Sequence, residues 1–207
     1  VRALGLADLA SVRAFADTIG RVDVLVNNAG IMAVPLALTR DGFESQIGTN
    51  HLGHFQLAAC LWPLLAKAGA NGGARVVALT SAAHKRFPLD VEDPNFERRE
   101  YNKWLAYGQA KSANALFALH LDQLAAGHGV RAFAVHPGGI ATNLGRHLSA
   151  EELSAMTGKR EEVASESAPD ATSADTLARS AGFHSAATRM RASRMKAGGK
   201  ANDRARS

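Results

Sequence analysis

The chain is short of several things, and each shortage narrows the field. It has one cysteine, Cys60, in 207 residues. An internal disulfide is therefore excluded, and a lone thiol inside an apolar helical run reads as a small core side chain in a reducing compartment, the cytoplasm by default. No stretch approaches the roughly 18 apolar residues that a bilayer span needs, and nothing in the opening residues reads as a charged-then-apolar leader. Aromatic residues are scarce at 6%, and the basic stretch near the C-terminus holds a single one, Phe183, so a nucleic-acid surface is not expected. The positive charge is itself local. Residues 1–157 carry 14 Lys/Arg against 13 Asp/Glu, and residues 158–207 carry 10 against 6. That last stretch holds 12 Ala and 7 Ser, but only Val163, Leu177 and Phe183 from the Leu/Ile/Val/Phe group. It has too little to bury. The expected organisation is one domain over residues 1–157 and a basic, largely disordered tail over 158–207.

Within the first part, apolar runs alternate with helical patterns. Val22–Val26, Arg75–Thr80 and Val130–Val135 are strand-like, and Val1–Leu6 is a weaker fourth run interrupted by Gly5. Near-continuous apolar strands point to a parallel sheet covered on both faces. Asp8 can cap a helix that stops at Gly20, a second helix should begin near Thr39 and run to Leu65, and a third should run from near Trp104 to Gly127. Strand, helix, strand, helix, strand is the doubly wound α/β order.

The residues that carry chemistry lie at the ends of those strands. Asn27-Asn28-Ala29-Gly30 follows the first, Ser81 the second, and His136-Pro137-Gly138-Gly139-Ile140-Ala141-Thr142 the third. In open parallel sheets ligands bind at these carboxyl ends. Tyr107 and Lys111, four apart on the third helix, share one helical face at about 5–6 Å between Cβ atoms. An ammonium about 4 Å from a phenol is worth roughly 4 kcal/mol at an effective dielectric of 20, about three pKa units, which brings a tyrosinate within working range. Taken alone such a pair is commonplace on an amphipathic helix, and only its company gives it weight. His51 and His54, three apart, have no third ligand at a sensible spacing, so no metal site is expected.

The ordered set of Asn-Asn-Ala-Gly, Asn50 on the next helix, Ser81, Tyr107-x-x-x-Lys111 and Pro137-Gly138 resembles the short-chain dehydrogenase/reductase family over about residues 1–157. Asn50-His51-Leu52-Gly53-His54-Phe55 and the long Ser81–Tyr107 interval look most like its retinol-dehydrogenase-containing branch. The resemblance implies a Rossmann-type fold and NAD(P)-dependent oxidoreduction of an alcohol, ketone or aldehyde, with NAD or NADP as cofactor. It implies that Tyr107 is the acid/base, that Lys111 lowers its pKa and contacts the nicotinamide ribose, that Ser81 bonds the substrate oxygen, and that Asn50 holds a water leading to solvent. Asn28, Ala29 and Gly30 would line the cofactor groove with Pro137 and Gly138, and Ile140 and Thr142 would meet the carboxamide. It also implies pairing of copies through the two long helices.

The chain has no Gly-x-Gly-x-x-Gly between a strand and a helix, the loop with which a Rossmann domain holds pyrophosphate. Val1 matches the start of the family's third strand, so the fold is expected to be incomplete, with two strand–helix units absent and the chain a fragment. The edge of Val22–Val26 should then be open. A non-catalytic remnant or interaction module is the alternative expectation.

Overall fold

The structure, a computed structural model, describes residues 2–138, 142–152 and 154–155. The expectations for Ile140 and for the tail over 158–207 fall outside these residues. Three strands form one parallel sheet in the order β1 (Val24–Asn27), β2 (Ala74–Leu79), β3 (Val130–Val135). Val24 pairs with Arg75, and Leu79 pairs with Val135, so all three carboxyl ends lie along one edge. Helix α1 (Leu9–Ala16) precedes β1. Helix α2 (Ser45–Ile47) continues through a π-helical turn at Gly48–Leu52 into α3 (Gly53–Ala70), and α4 (Lys103–Ala125) joins β2 to β3.

The caps follow from residue chemistry. The Asp8 carboxylate accepts from the amides of Ala10 and Ser11, and Asn102 accepts from those of Trp104 and Leu105. The second helix starts later than its periodicity suggests. Thr39 donates to the Phe43 carbonyl at 2.7 Å across a turn in which Gly42 adopts φ 84. Only then does Glu44, fully buried, cap Ser45 onward, its carboxylate accepting from the amides of Gln46 and Ile47 at 2.9 Å each.

Val12 and Ala16 of α1, Leu57, Leu61 and Leu65 of α3, and Ala125 of α4 meet Leu25, Val76, Val130 and Ala132 of the sheet in one core. All three helices thus lie on the same face. The other face stays bare among the described residues: Val24 is 57% exposed, Val26 53%, Phe133 41% and Val135 40%. This corrects the expectation of a sheet covered on both faces, and the reason is topological. Right-handed crossovers that step in one direction along a sheet put every connecting helix on one side. Only a reversal of direction moves helices to the other, and β1-β2-β3 contains none.

The expected fourth strand is also corrected. Residues 2–6 form no strand. With no neighbour to pair with, an isolated extended segment gains nothing as a strand. Leu6 instead turns into the core, and Gly5 donates its amide to the Ser11 hydroxyl. Leu6 sits so close to the start of α3 that a Cβ on Gly53 would lie 2.3 Å from its carbonyl oxygen.

Candidate active site

The parallel register delivers Asn27, Leu79 and Val135 to one edge, and the residues just beyond them form a cleft against α4. Thr80 pins the helix there, its hydroxyl donating to the Lys111 carbonyl at 2.8 Å. Tyr107 and Lys111 are both buried on the inward face of α4. Close approach of that face depends on small residues. Ala106, Ala110 and Ala113 are buried, and a Cβ on Gly108 would stand 2.4 Å from Phe87.

Asn50 comes from the π-helical turn. Its amide grips the loop after β1 in both directions, Oδ1 accepting from the Ile31 amide at 2.9 Å and Nδ2 donating to the Ile31 carbonyl at 2.8 Å. This clamp brings Gly30 over Asn50 and Lys111. A Cβ built on Gly30 would lie 3.0 Å from Asn50 Oδ1 and 3.9 Å from Lys111 Nζ. The missing side chain lets the Gly30 backbone settle into a cradle bordered by an amide and an ammonium, a fit too close to admit even a methyl group freely.

The electrostatics differ from the simple picture of a lysine lowering a tyrosine. Lys111 Nζ lies 5.6 Å from the Tyr107 ring centroid and donates to the Leu79 carbonyl at 3.0 Å. Burial brings Lys111 down to about 8. Burial likewise pushes the Tyr107 phenol up, and the hydrogen bond from Ser81 pulls it part of the way back. Tyr107 is therefore a protonated phenol at neutral pH.

Gly30, Asn50, Ser81, Tyr107 and Lys111 are brought together. Asn28 and Ala29 continue the loop at the same edge, both exposed. Pro137, Gly138 and Thr142 lie exposed beyond β3 and make no hydrogen bond to the cluster; the Thr142 hydroxyl accepts from the Leu144 amide at 3.3 Å. The Asn50 main-chain oxygen accepts from Asn114 Nδ2 at 3.1 Å and from the His54 ring at 3.0 Å. Two lone pairs meet two donors. Asn27 is buried, with both side-chain polar atoms lacking a partner among the described residues. Sequence reasoning missed Asn114, although its place three residues after Lys111 and seven after Tyr107 puts it on their face. Beside Tyr107, Met32 and Ala33 form an apolar wall backed by Ala83, Trp104, Leu144 and Leu148.

A family model described as short chain dehydrogenase matches residues 5–153. This chain belongs to that family. Relatives agree with it. Over 156 residues it is 48% identical to a protein named "Probable oxidoreductase" from Streptomyces lividans, covering 74% of this chain and 51% of that one. Over 150 residues it is 46% identical to retinol dehydrogenase 13 of Homo sapiens, covering 70% and 44% respectively. The short-chain dehydrogenase chain described here thus spans about half the length of the curated relatives it matches. A crystal structure of an uncharacterised protein from Mycobacterium paratuberculosis superposes with TM-score 0.63 at 50% identity, over 82% of this chain and 59% of that one. The NADPH-bound carbonyl reductase from chicken fatty liver superposes with TM-score 0.52 at 25% identity, over 79% and 68%. Among the described residues no helix is long and apolar enough to cross a membrane.

Proposed function

We propose that the chain carries the catalytic half of an NAD(P)-dependent alcohol/carbonyl oxidoreductase, with Tyr107 as the proton donor and acceptor at the substrate oxygen. The observation that carries this reading is the buried Tyr107 phenol beside Ser81, on the same helical face as the Lys111 ammonium at the Gly30–Asn50 cradle. A nicotinamide cofactor, NAD or NADP, would supply or take the hydride at the carbon bearing that oxygen. Its ribose would meet the Lys111 ammonium at the edge of the Gly30–Asn50 cradle. Ser81 holds the substrate oxygen against the Tyr107 hydroxyl and steadies charge that develops there. In the reducing direction the Tyr107 O–H bond breaks, its proton goes to the oxygen, and the Lys111 ammonium stabilises the phenolate left behind. The protonated phenol is the form from which that direction starts. The wall of Met32 and Ala33 suits an apolar substrate, in keeping with the retinol named for one relative.

The apolar sheet face left bare among the described residues favours the second reading, an inactive remnant or interaction module. The lone thiol suits the cytoplasm. An apolar groove of about 580 Å³ between α3 and α4, with Phe55, Trp62 and Phe117 on its walls, supports pairing of copies along those helices.

The test is titration with NADH and NADPH by fluorescence, with turnover of a panel of apolar aldehydes and ketones. Tyr107→Phe should abolish turnover and leave affinity nearly unchanged, and Lys111→Ala should weaken both. A wild-type chain that binds neither nucleotide at millimolar concentration would select the second reading.

A further inference from the structure

A buried amide behind the cleft is used by none of the roles assigned so far. Asn114 lies on α4, one turn beyond Lys111, and is 2% exposed. Its Nδ2 donates to two main-chain carbonyls on different elements, Leu79 at the end of β2 at 3.0 Å and Asn50 in the π-helical turn at 3.1 Å. Its Oδ1 lies 3.1 Å from His51 Nδ1. The Leu79 carbonyl is also the acceptor for Lys111 Nζ.

The donors and acceptors leave one consistent arrangement. Two carbonyls can only accept, so the amide nitrogen must face them and the amide oxygen must face His51. His51 must then donate from Nδ1. Burial holds that imidazole's pKa below its usual value, so near neutrality it has a single ring proton, and Nε2 carries none. The Leu79 carbonyl likewise has two lone pairs, one taken by Asn114 and one by Lys111. Lys111 is thereby limited to one bond there, and its remaining N–H groups are free for the cradle under Gly30.

We propose that Asn114 is a positioning residue: its amide locks the strand end that anchors Lys111 to the turn that presents Asn50, and His51 fixes which way that amide points. The titratable groups around Lys111 are Tyr107 on its own helix and His54 on α3, whose ring is itself lowered in part by the Lys111 charge, with His51 beyond Asn114. Among the described residues Lys111 has no ion pair with a carboxylate. Its protonation therefore answers mainly to burial and to the shared carbonyl. Freed of Asn114, the Leu79 oxygen becomes a stronger acceptor for the ammonium, and the charged form gains.

The inference rests on the reading of Lys111 as the cofactor-side cation, but its test needs no cofactor. The full chain is labelled with ¹⁵N-histidine, and the His51 tautomer is read from long-range ¹H–¹⁵N correlations. Lys111 is titrated through the pH dependence of its acetylation by acetic anhydride, measured on its peptide by mass spectrometry. The wild type should show His51 protonated on Nδ1. Asn114→Leu should release that tautomer and move the Lys111 titration upward by about half a unit or more, a threefold change in its protonation ratio at fixed pH. His51→Phe, at a groove-facing position, should move Lys111 in the same direction by less, and it decides the matter if Asn114→Leu does not fold. An Nε2–H tautomer in the wild type overturns the proposal. So does a lysine titration unmoved in variants that merely melt lower, since a structural role alone would give that result. Failure to bind nucleotide with both signatures intact would instead count against the proposed function.

Discussion

Gly30→Ala probes the cradle with a single methyl group. Gly30 does not occupy the left-handed region, so alanine meets no backbone strain and any effect belongs to the added carbon. That carbon would stand 3.0 Å from Asn50 Oδ1, where an ordinary contact begins at 3.4 Å, so about 0.4 Å must be found. Asn50 is badly placed to yield. It is fully buried, and moving Oδ1 by that amount stretches its 2.9 Å bond from the Ile31 amide to roughly 3.3 Å, past the useful range. A buried hydrogen bond weakened in this way costs about 1–3 kcal/mol, offset by about 0.4–1 kcal/mol from the stiffer unfolded chain. The net expectation is a loss of about 1–2 kcal/mol, which for a chain of this size lowers Tm by about 2–8 °C. The displaced Asn50 amide disturbs the cradle beside Lys111, where the ribose is proposed to bind, so NADPH affinity should fall at least about tenfold, equivalent to 1.4 kcal/mol. Gly127→Ala is the control: no atom lies within 4 Å of its Cβ and its φ is not left-handed, so it should be neutral or slightly stabilising. Urea unfolding and nucleotide fluorescence titration read both quantities. A Gly30→Ala protein as stable as Gly127→Ala, or one binding NADPH like the wild type, would refute the cradle.

Lys111→Met should change stability in a pH-dependent way. Burial lowers the folded-state pKa to about 8 against 10.5 in the unfolded chain, a difference of roughly 3 kcal/mol. Below pH 8 both states carry the proton and the fold bears the full penalty. Between pH 8 and 10.5 the unfolded chain binds more protons, so wild-type stability rises with pH. The variant should therefore be the more stable protein at pH 7, by about 1–2 kcal/mol once the lost Leu79 bond is counted, and its advantage should vanish towards pH 10.5. A variant less stable at pH 7, with a gap that ignores pH, would refute this. Asn27→Leu should raise the urea midpoint, because the buried amide has both polar atoms unpartnered among the described residues and leucine of similar volume removes that burden. A clear drop would show that the amide is satisfied in the folded protein.

These expectations bear unequally on what the residues disclosed by themselves. Asn28–Gly30, Ser81, Tyr107 and Lys111 were readable because strand-end turns and a four-residue helical spacing are local patterns, and a parallel register then had little freedom but to gather them at one edge. The start of the second helix was misread because the apolar period continues through Thr39–Phe43, while a left-handed Gly42 and the Glu44 carboxylate impose a turn there. The π-helical turn at Gly48–Leu52 left no local trace. It meets a contact from 64 residues away, where Asn114 donates to the Asn50 carbonyl. The bare sheet face was hidden for a different reason. Val24, Val26, Phe133 and Val135 make the strands look buried on both sides, because apolar composition records what a surface can bury and not whether anything lies against it. Chain direction decides that: two crossovers stepping the same way leave one face open among the described residues. The cleft escapes this exposure, since every group in it hangs from the covered side or from the strand ends. The same geometry explains why its cation can remain desolvated in a chain with so little sheet. Lys111 lies under α4 against Leu79 and Asn114, on the one face where the helices of this chain exclude water.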